Sequence, residues 1–431
     1  MIRVHLVLLS AVCAAVYQER LVLKLATGGR GMVLIMDLLM PLFAFFAVAL
    51  PFRGELVRMA RNTRFWAFFP FLLLAFLLPL LGVAFMHFPA RSAYTSYTAL
   101  LPMAYLAFGY IGAGMDARVA TWARRYLLLA VVSQMGLALI QSLGELGSLP
   151  SFLGWIREWD LAFKDTYQPD NLIMGRSTGF YLNPNSLGIW ALLAFWTCFH
   201  ALEGRARTVG TVAAALTVLL CQSRGSLAAL LASGFLYAVI WMKDHATRRE
   251  RLKATLLAVM LAAPLAVAFL PGVGDAFLGR AQDLPYVGPA VARYTSGARI
   301  LSQGAKADEN FQERTEYWRI AFDYLANHPF GSLGSPEMVI KRPSDNQYVA
   351  ILEQGSFYYE AALLAVFLAA ITQLRSRSRA SRALATAALA YAINGISAVP
   401  FQYSASHPFW ILVGVYLAER EAREPAEEDL P

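Results

Sequence analysis

The sequence predicts an all-α, polytopic membrane protein of about 12 transmembrane helices with a long helical periplasmic loop. Three observations carry that expectation. First, 58% of the 431 residues are hydrophobic, 15% are charged, and the mean hydropathy is +0.48. A soluble domain holds about 45–50% apolar and about 25% charged residues, which excludes an ordinary cytosolic enzyme and a disordered chain. Second, the apolar residues form continuous runs rather than alternating segments of about ten, which excludes a β-barrel. Third, basic residues gather in every second connection between the runs.

The runs fall at residues 2–26, 32–51, 65–86, 94–114, 125–145, 186–202, 208–222, 225–242, 255–271, 347–372, 383–399 and 408–418. Met1-Ile2-Arg3-Val4 enters the first with no small-residue cleavage site, so it reads as a retained span rather than a signal peptide. Several runs are short for a core of about 30 Å, which tilt or local thinning accommodates. Pro41, Pro70, Pro79, Pro102 and Pro264 lie within runs, as buried membrane helices tolerate.

The basic clusters are Arg53, Arg58, Arg61 and Arg64; Arg118, Arg124 and Arg125; Arg205 and Arg207; Lys243, Arg248, Arg249, Arg251 and Lys253; and Arg375, Arg377, Arg379 and Arg382. Twelve spans place all five in the cytoplasm with both termini. The net charge of +8 therefore reads as topology, not as a nucleic-acid surface. Residues 1–271 hold spans one to nine, with an outer loop at about 146–185. Residues 272–346 form a large outer loop, 347–418 hold spans ten to twelve, and 419–431 are a cytoplasmic tail. Loops of this length are rarely plain connectors. No internal repeat of the kind transporters show is visible, so chemistry is expected at the outer face.

Four outer features carry candidate residues. Gly175-Arg176-Ser177-Thr178-Gly179 precedes Asn183-Pro184-Asn185, with Asn185 a natural N-cap. This is either a turn with a cap or an arginine held at a helix N-terminus, where anions are favoured. Gln222-Ser223-Arg224-Gly225-Ser226 joins two runs with almost no loop. Arg224 therefore sits at the outer interface, either snorkelling to lipid phosphates or serving a site. Residues 308–327 form an amphipathic outer helix ended by Pro329, with Gly331 and Gly334 as a flexible turn. Arg319 has Glu316 and Asp323 at helical spacing and reads as surface pairing. Arg314 has no acidic helical neighbour, which leaves its charge free for a ligand or for solvent. Arg280 and Arg293 lie earlier in that loop without a helical assignment.

Last, Ser344 and Gln347 fit a capping box, with Asp345 in the favoured first turn. Glu353 and Glu360 follow inside the apolar helix, about 12 and about 22 Å deeper at 1.5 Å per residue. Buried carboxylates need partners, and Arg176 or Arg224 are the candidates; protonation is the alternative for Glu360. Cys13, Cys198 and Cys221 lie in apolar stretches and suggest neither disulfide nor metal. The six histidines form no metal-ligand spacing, and there is no P-loop or G-x-G-x-x-G.

Together these outer residues resemble the O-antigen ligase and Wzy-type polysaccharide polymerase superfamily. The matching pieces are Gly175 to Gly179 with Asn183 to Asn185, Ser223-Arg224-Gly225, Arg314 to Trp318 with Pro329, Gly331 and Gly334, and Asp345-Asn346-Gln347-Tyr348 with Gly355. They cover roughly residues 170–420, and the twelve-span topology extends the likeness to the whole chain. The resemblance implies a GT-C type membrane glycosyltransferase at the periplasmic face of the bacterial inner membrane, working without metal or cofactor. Its donor would be a glycan on undecaprenyl diphosphate. Its acceptor would be a second such glycan (polymerase) or the lipid A core (ligase). A chain-length regulator is a further expected partner; nucleic acid is not.

A diphosphate leaving group needs fixed positive charge, and Arg forks onto phosphate oxygens. Arg176 and Arg224 are the first expected diphosphate ligands, with Arg314 and Arg280 next. Asp345 is the expected base or acceptor-sugar ligand, with Asn346, Tyr348 and Gly355 in support. Similar ligases carry histidine where this chain has Asp345, ten residues before Gly355. A carboxylate is ordinarily a weaker base than imidazole, which favours polymerase. A ligase would need another base, Glu353 or His407. A lipid-linked glycan transporter is the reading from another class, and it would require a polar path through the midplane.

Overall fold

In the computed structural model, residues 22–24, 32–34, 50–89, 93–113, 117–145, 150–155, 176–181, 183–244, 309–334, 345–376 and 378–421 are described. The architecture is all-α apart from one short antiparallel pair, β1 (Val22–Lys24) and β2 (Met32–Leu34), with Leu23 opposite Val33. That pair corrects the expectation of helix at the end of the first apolar run and the start of the second. An apolar run alone does not separate strand from helix.

The helices follow in order: α1 (Arg53–Arg61), α2 (Phe69–Phe85), α3 (Ala93–Thr98), α4 (Leu100–Ala113), α5 (Ala117–Glu145), α6 (Pro184–Ala201), α7 (Gly204–Leu220), α8 (Arg224–Asp244), α9 (Glu309–Asn327), α10 (Gln347–Ile371), α11 (Arg379–Asn394) and α12 (His407–Glu421). Most coincide with the apolar runs. The run at 94–114 is broken into α3 and α4, and Pro102 falls in the first turn of α4, where a missing N–H costs nothing. The run at 255–271 lies outside the described residues, as does most of each long outer loop.

Among the described residues, the helical stretches Thr121–Leu143 and Gln347–Arg375 are long and apolar enough to cross a membrane. Phe69–Phe85 and Arg224–Ile240 are shorter apolar helices. Their outward faces are apolar too: Leu129 is 63% and Leu368 64% exposed.

The core is aromatic and sits where α2, α10, α11 and α12 meet. Phe71 stacks on Tyr359 and Trp410, and Phe401 and Phe409 close the cluster. α12 lies against α4 through glycine: a Cβ on Gly109 would meet the Ile411 carbonyl carbon at 2.8 Å, and one on Gly414 would meet the Gly109 carbonyl carbon at 3.0 Å. Small residues allow this approach of two apolar helices. The packing leaves the starts of α6, α8, α10 and α12 at one end of the bundle, and the starts of α7 and α11 at the other.

Candidate functional site

The segment from Arg176 to Tyr181 carries almost no structure of its own and is held by its neighbours. α5 lends two glutamines spaced seven residues apart, which fall on one helical face. Gln141 Oε1 accepts from the Thr178 and Gly179 N–H groups at 3.0 and 2.8 Å. Its Nε2 donates to the Gly179 carbonyl at 3.2 Å. Gln134 Oε1 accepts from the Phe180 N–H at 3.0 Å. Ser177 donates from its hydroxyl to the Ala138 carbonyl at 2.6 Å. Buried backbone groups must find partners, and here side chains of a neighbouring helix supply them. Gly179 has φ +57°, a conformation glycine adopts without strain.

This cradle aims Arg176. Its Nε donates to the Cys221 carbonyl at 3.2 Å, and Nη2 donates to Asn185 Oδ1 at 3.0 Å. Asn183, not Asn185, is the N-cap of α6: its side chain accepts from the Asn185 N–H at 2.8 Å, and Pro184 takes the first helical position. The proline ring preorganises that position. The expected cap at Asn185 is thereby corrected: Asn183 caps, and the Asn185 amide oxygen orients the arginine.

Cys221 belongs to the three-residue turn between α7 and α8, where Gln222 takes φ +50°. Arg224 opens α8 immediately after, half-buried. Ser223 precedes it, and its hydroxyl oxygen accepts from Ser226 Oγ at 3.0 Å. Arg176 and Arg224 thus converge on one tight turn.

A second arginine arrangement faces this turn. Arg314 on α9 forms an ion pair with Asp345 (Nη2 to Oδ2, 3.1 Å) and donates from Nη1 to the Ser397 carbonyl at 3.3 Å. This corrects the expectation that Arg314 keeps its charge free. Its acid lies 31 residues on in sequence, beyond any helical spacing. Its Nε is shielded and has no partner. Asp345 sits at φ +49°, and the next residue, Asn346, is the N-cap of α10, accepting from Tyr348 and Val349 N–H at 2.9 and 3.2 Å. The expected capping box of Ser344 with Gln347 is therefore replaced: Gln347 Oε1 accepts from Phe401 N–H at 2.9 Å, and Ser344 lies outside the described residues.

The short connection after α11 joins the two arrangements. Ser397, whose carbonyl holds Arg314, sits against Gly225, the residue after Arg224. Asn394 donates to Ser226 Oγ at 3.3 Å, and Asn346 donates to the Ile396 carbonyl at 3.0 Å. Gln347 N–H donates to the Gly395 carbonyl at 2.8 Å. Residues far apart in sequence thus share one end of the bundle.

α10 is not continuous. Gly355 and Ser356 leave helical geometry, Ser356 with φ +56°. The carbonyls of Glu353 and Gln354 instead accept from Ser332 N–H at 2.6 Å and Leu333 N–H at 2.9 Å. Gly331 takes φ +74°, and a Cβ there would meet the Gln354 carbonyl carbon at 2.9 Å. The expected flexible turn at Gly331 and Gly334 is instead a buried plug in a broken helix. Broken helices at membrane depth occur where the backbone is buried in protein or lines a cavity.

Glu353 is 1% exposed and its Oε1 has no partner. The expected ion pair with Arg176 or Arg224 is not among its described contacts; it faces α9, where burial and the nearby Glu353 push the Tyr324 phenol up. Tyr348 donates to the Ala392 carbonyl at 2.6 Å, so it ties α10 to α11. His407 is half-buried at the start of α12 with its ring 5.4 Å from that of Tyr105. Arg319 does pair with Glu316 and Asp323, at 2.6 and 3.3 Å. Its hydrogen bond holds the Glu316 carboxyl below the usual range. Arg280, Arg293 and Gly175 lie outside the described residues. Among the described residues no group of three His, Cys, Asp or Glu could hold a metal.

Sequence reasoning missed Gln134, Gln141, Asn394 and Ser397. The two glutamines had a readable signal: polar residues at i and i+7 in an apolar run. Asn394 had a weaker one, an amide near the end of a run. Ser397 acts through its backbone and had none. Four of the five non-glycine residues with positive φ among those described, Gln222, Leu333, Asp345 and Ser356, lie in the turns and the α10 break of this site; the fifth, His87, follows α2. Such backbone strain collects at functional sites.

Residues 209–360 match the Wzy_C family model, described as O-antigen ligase. The match covers about a third of the chain and supports its likeness to the O-antigen ligase/Wzy superfamily. It spans Arg224, Arg314, Asp345 and Glu353, and leaves Arg176 to its N-terminal side. No curated protein matches the chain. The family supports an O-antigen ligase or polymerase type of function, with a glycosyltransferase-like activity on lipid-linked glycans in the bacterial inner membrane.

Proposed function

We propose that this chain belongs to that superfamily and polymerises glycan repeat units carried on polyprenyl diphosphate, by inverting transfer at the outer face of the inner membrane. The observation that supports it is the meeting, at one end of the bundle, of two arginines fixed on the α7–α8 turn with a carboxylate at the start of α10. Arg176 and Arg224 hold the donor diphosphate. Asp345 takes the acceptor hydroxyl, and Arg314 fixes the carboxylate that does so.

In the reaction, the acceptor oxygen forms the new bond to the anomeric carbon from the face opposite the diphosphate. The old C–O bond breaks and its electron pair leaves with the diphosphate. Arg176 and Arg224 stabilise the charge that develops there. The hydroxyl proton passes to Asp345, late in the step, when the anomeric bond is largely broken. A carboxylate suffices at that stage because the attacking oxygen has become acidic. Glu353 is the second reading for the base. It is buried and its Oε1 has no partner, but no described contact joins it to Arg176 or Arg224.

The twelve-span topology, the cytoplasmic termini and the periplasmic placing of the site are part of the same proposal. The exposed apolar residues along α5, α7 and α10 support a lipid surround. Polymerase is favoured over ligase by Asp345 standing where similar ligases carry histidine. Reconstitution tests it. Purified protein in nanodiscs receives one synthetic polyprenyl-diphosphate repeat unit and no other acceptor. A ladder of two, three and more repeats is expected. Transfer that appears only after lipid A core is added makes the chain a ligase and overturns the polymerase reading.

A further inference from the structure

The far end of the bundle carries a second set of cations that the transfer reaction does not use. α6 runs from Asn185 at the site to His200, about 22 Å away at 1.5 Å per residue. α7 and α11 start at this far end. His200 is 7% exposed, and its Nε2 is shielded with no partner. It sits in an aromatic box: the rings of Trp196, Phe199 and Tyr237 lie 5.9, 5.0 and 5.3 Å from it. Arg207 lies over the Phe199 ring at 4.2 Å. Arg382 Nε is shielded and also lacks a partner. Arg207 and Arg382 both act electrostatically on His200 and on Tyr237, so the two guanidiniums share one neighbourhood.

Nothing described there cancels that charge. Glu203 pairs with Arg379, Glu419 accepts from the Ser378 hydroxyl, and Glu421 accepts from the Tyr110 hydroxyl. No described carboxylate pairs with Arg207 or Arg382. The Glu203–Arg379 contact also ties the N-cap residue of α7 to the first residue of α11. Two helix N-termini, where anions are favoured, are therefore held side by side, with Arg207 and Arg382 each in the first turn of its helix.

We infer that this end of the bundle binds a phosphate-bearing anion between Arg207, Arg382 and the His200 Nε2. Two guanidiniums fork onto phosphate oxygens, and a neutral imidazole still offers one N–H. The same chemistry is presented by the headgroup of an anionic phospholipid and by free phosphate. Arg205, Arg207 and the arginines of 375–382 are two of the clusters that the charge rule puts in the cytoplasm, which places the site at the inner leaflet.

Native mass spectrometry of the full-length protein in detergent tests it, with phosphatidylglycerol, phosphatidylcholine and inorganic phosphate as separate probes. Both headgroups carry a phosphodiester, but the choline cation is repelled by the two guanidiniums, so phosphatidylglycerol is expected to bind at least about tenfold tighter than phosphatidylcholine. The Arg207→Gln/Arg382→Gln double variant should lose the preference, and Arg207→Lys/Arg382→Lys should keep most of it. Binding of inorganic phosphate without a lipid preference supports the site and assigns it a soluble phosphate. Wild-type protein that prefers neither anion overturns the proposal, as does a glutamine variant that keeps full preference. Either single glutamine variant serves if the double variant does not fold. Glycan transfer is not read, so failure here leaves the proposed activity standing.

Discussion

Arg176 and Arg314 stand at the same end of the bundle, each beside the start of a helix, and they are held in opposite ways. Arg176 is aimed by a carbonyl and an amide oxygen, at 3.2 and 3.0 Å. Arg314 faces a carboxylate at 3.1 Å. Among the described contacts, Arg176 is oriented by neutral acceptors, whereas Arg314 meets a carboxylate and fixes it in return. The second region is therefore built to present a carboxylate.

Predictions follow from that contrast. Arg224→Ala and Arg176→Ala should each cut polymerisation by about 10²–10³, the usual loss for one stabilising donor. Membrane fractionation should show normal protein levels, and wild-type chain length in either variant would sink the diphosphate role. Asp345→Asn should lower the rate by about 10²–10⁴ if the carboxylate takes a proton. Arg314→Ala should lower it less. In a double-mutant cycle Asp345→Asn should cost less in the Arg314→Ala background than alone, since contacting residues couple. Additive losses would separate the pair, and near-normal activity in Asp345→Asn would reduce that residue to a helix start.

Smaller effects concern the supports. Gln141→Leu leaves the Thr178 and Gly179 N–H groups buried without their acceptor. It should destabilise the fold by about 1–3 kcal/mol for each such group, read as a lower melting temperature in detergent. Gly331→Ala should cost about 1–3 kcal/mol, because alanine is strained at φ +74° and its methyl meets the carbonyls of the α10 break. Arg319→Ala, on an exposed triad, should change neither melting temperature nor polymer length. A measurable loss there would show that α9 has an outer contact its own surface pairs do not explain.

Legibility of the site tracked distance along the chain. Arg319 was read correctly because Glu316 and Asp323 lie within one helical turn of it. Arg314 was misread by the same test, since Asp345 is on another helix. Asn183-Pro184-Asn185 announced a helix start, but two amides could cap it, and only the position of Arg176 separated them. The break at Gly355-Ser356 lay in an apolar run with nothing but two small residues to mark it. Its cause is on the other side of the contact, in the N–H groups of Ser332 and Leu333.

By itself the sequence determined the all-α class, most helix limits after residue 50, and the residue types at the site. Those follow from hydropathy, local caps and charge, which act over a few residues. The tertiary structure alone decided that Arg314 pairs with Asp345, where α10 opens, and that Ser397 joins Gly225 to Arg314. Those depend on backbone carbonyls and N–H groups, which every residue carries alike. Only the packing of helices chooses which of them meet.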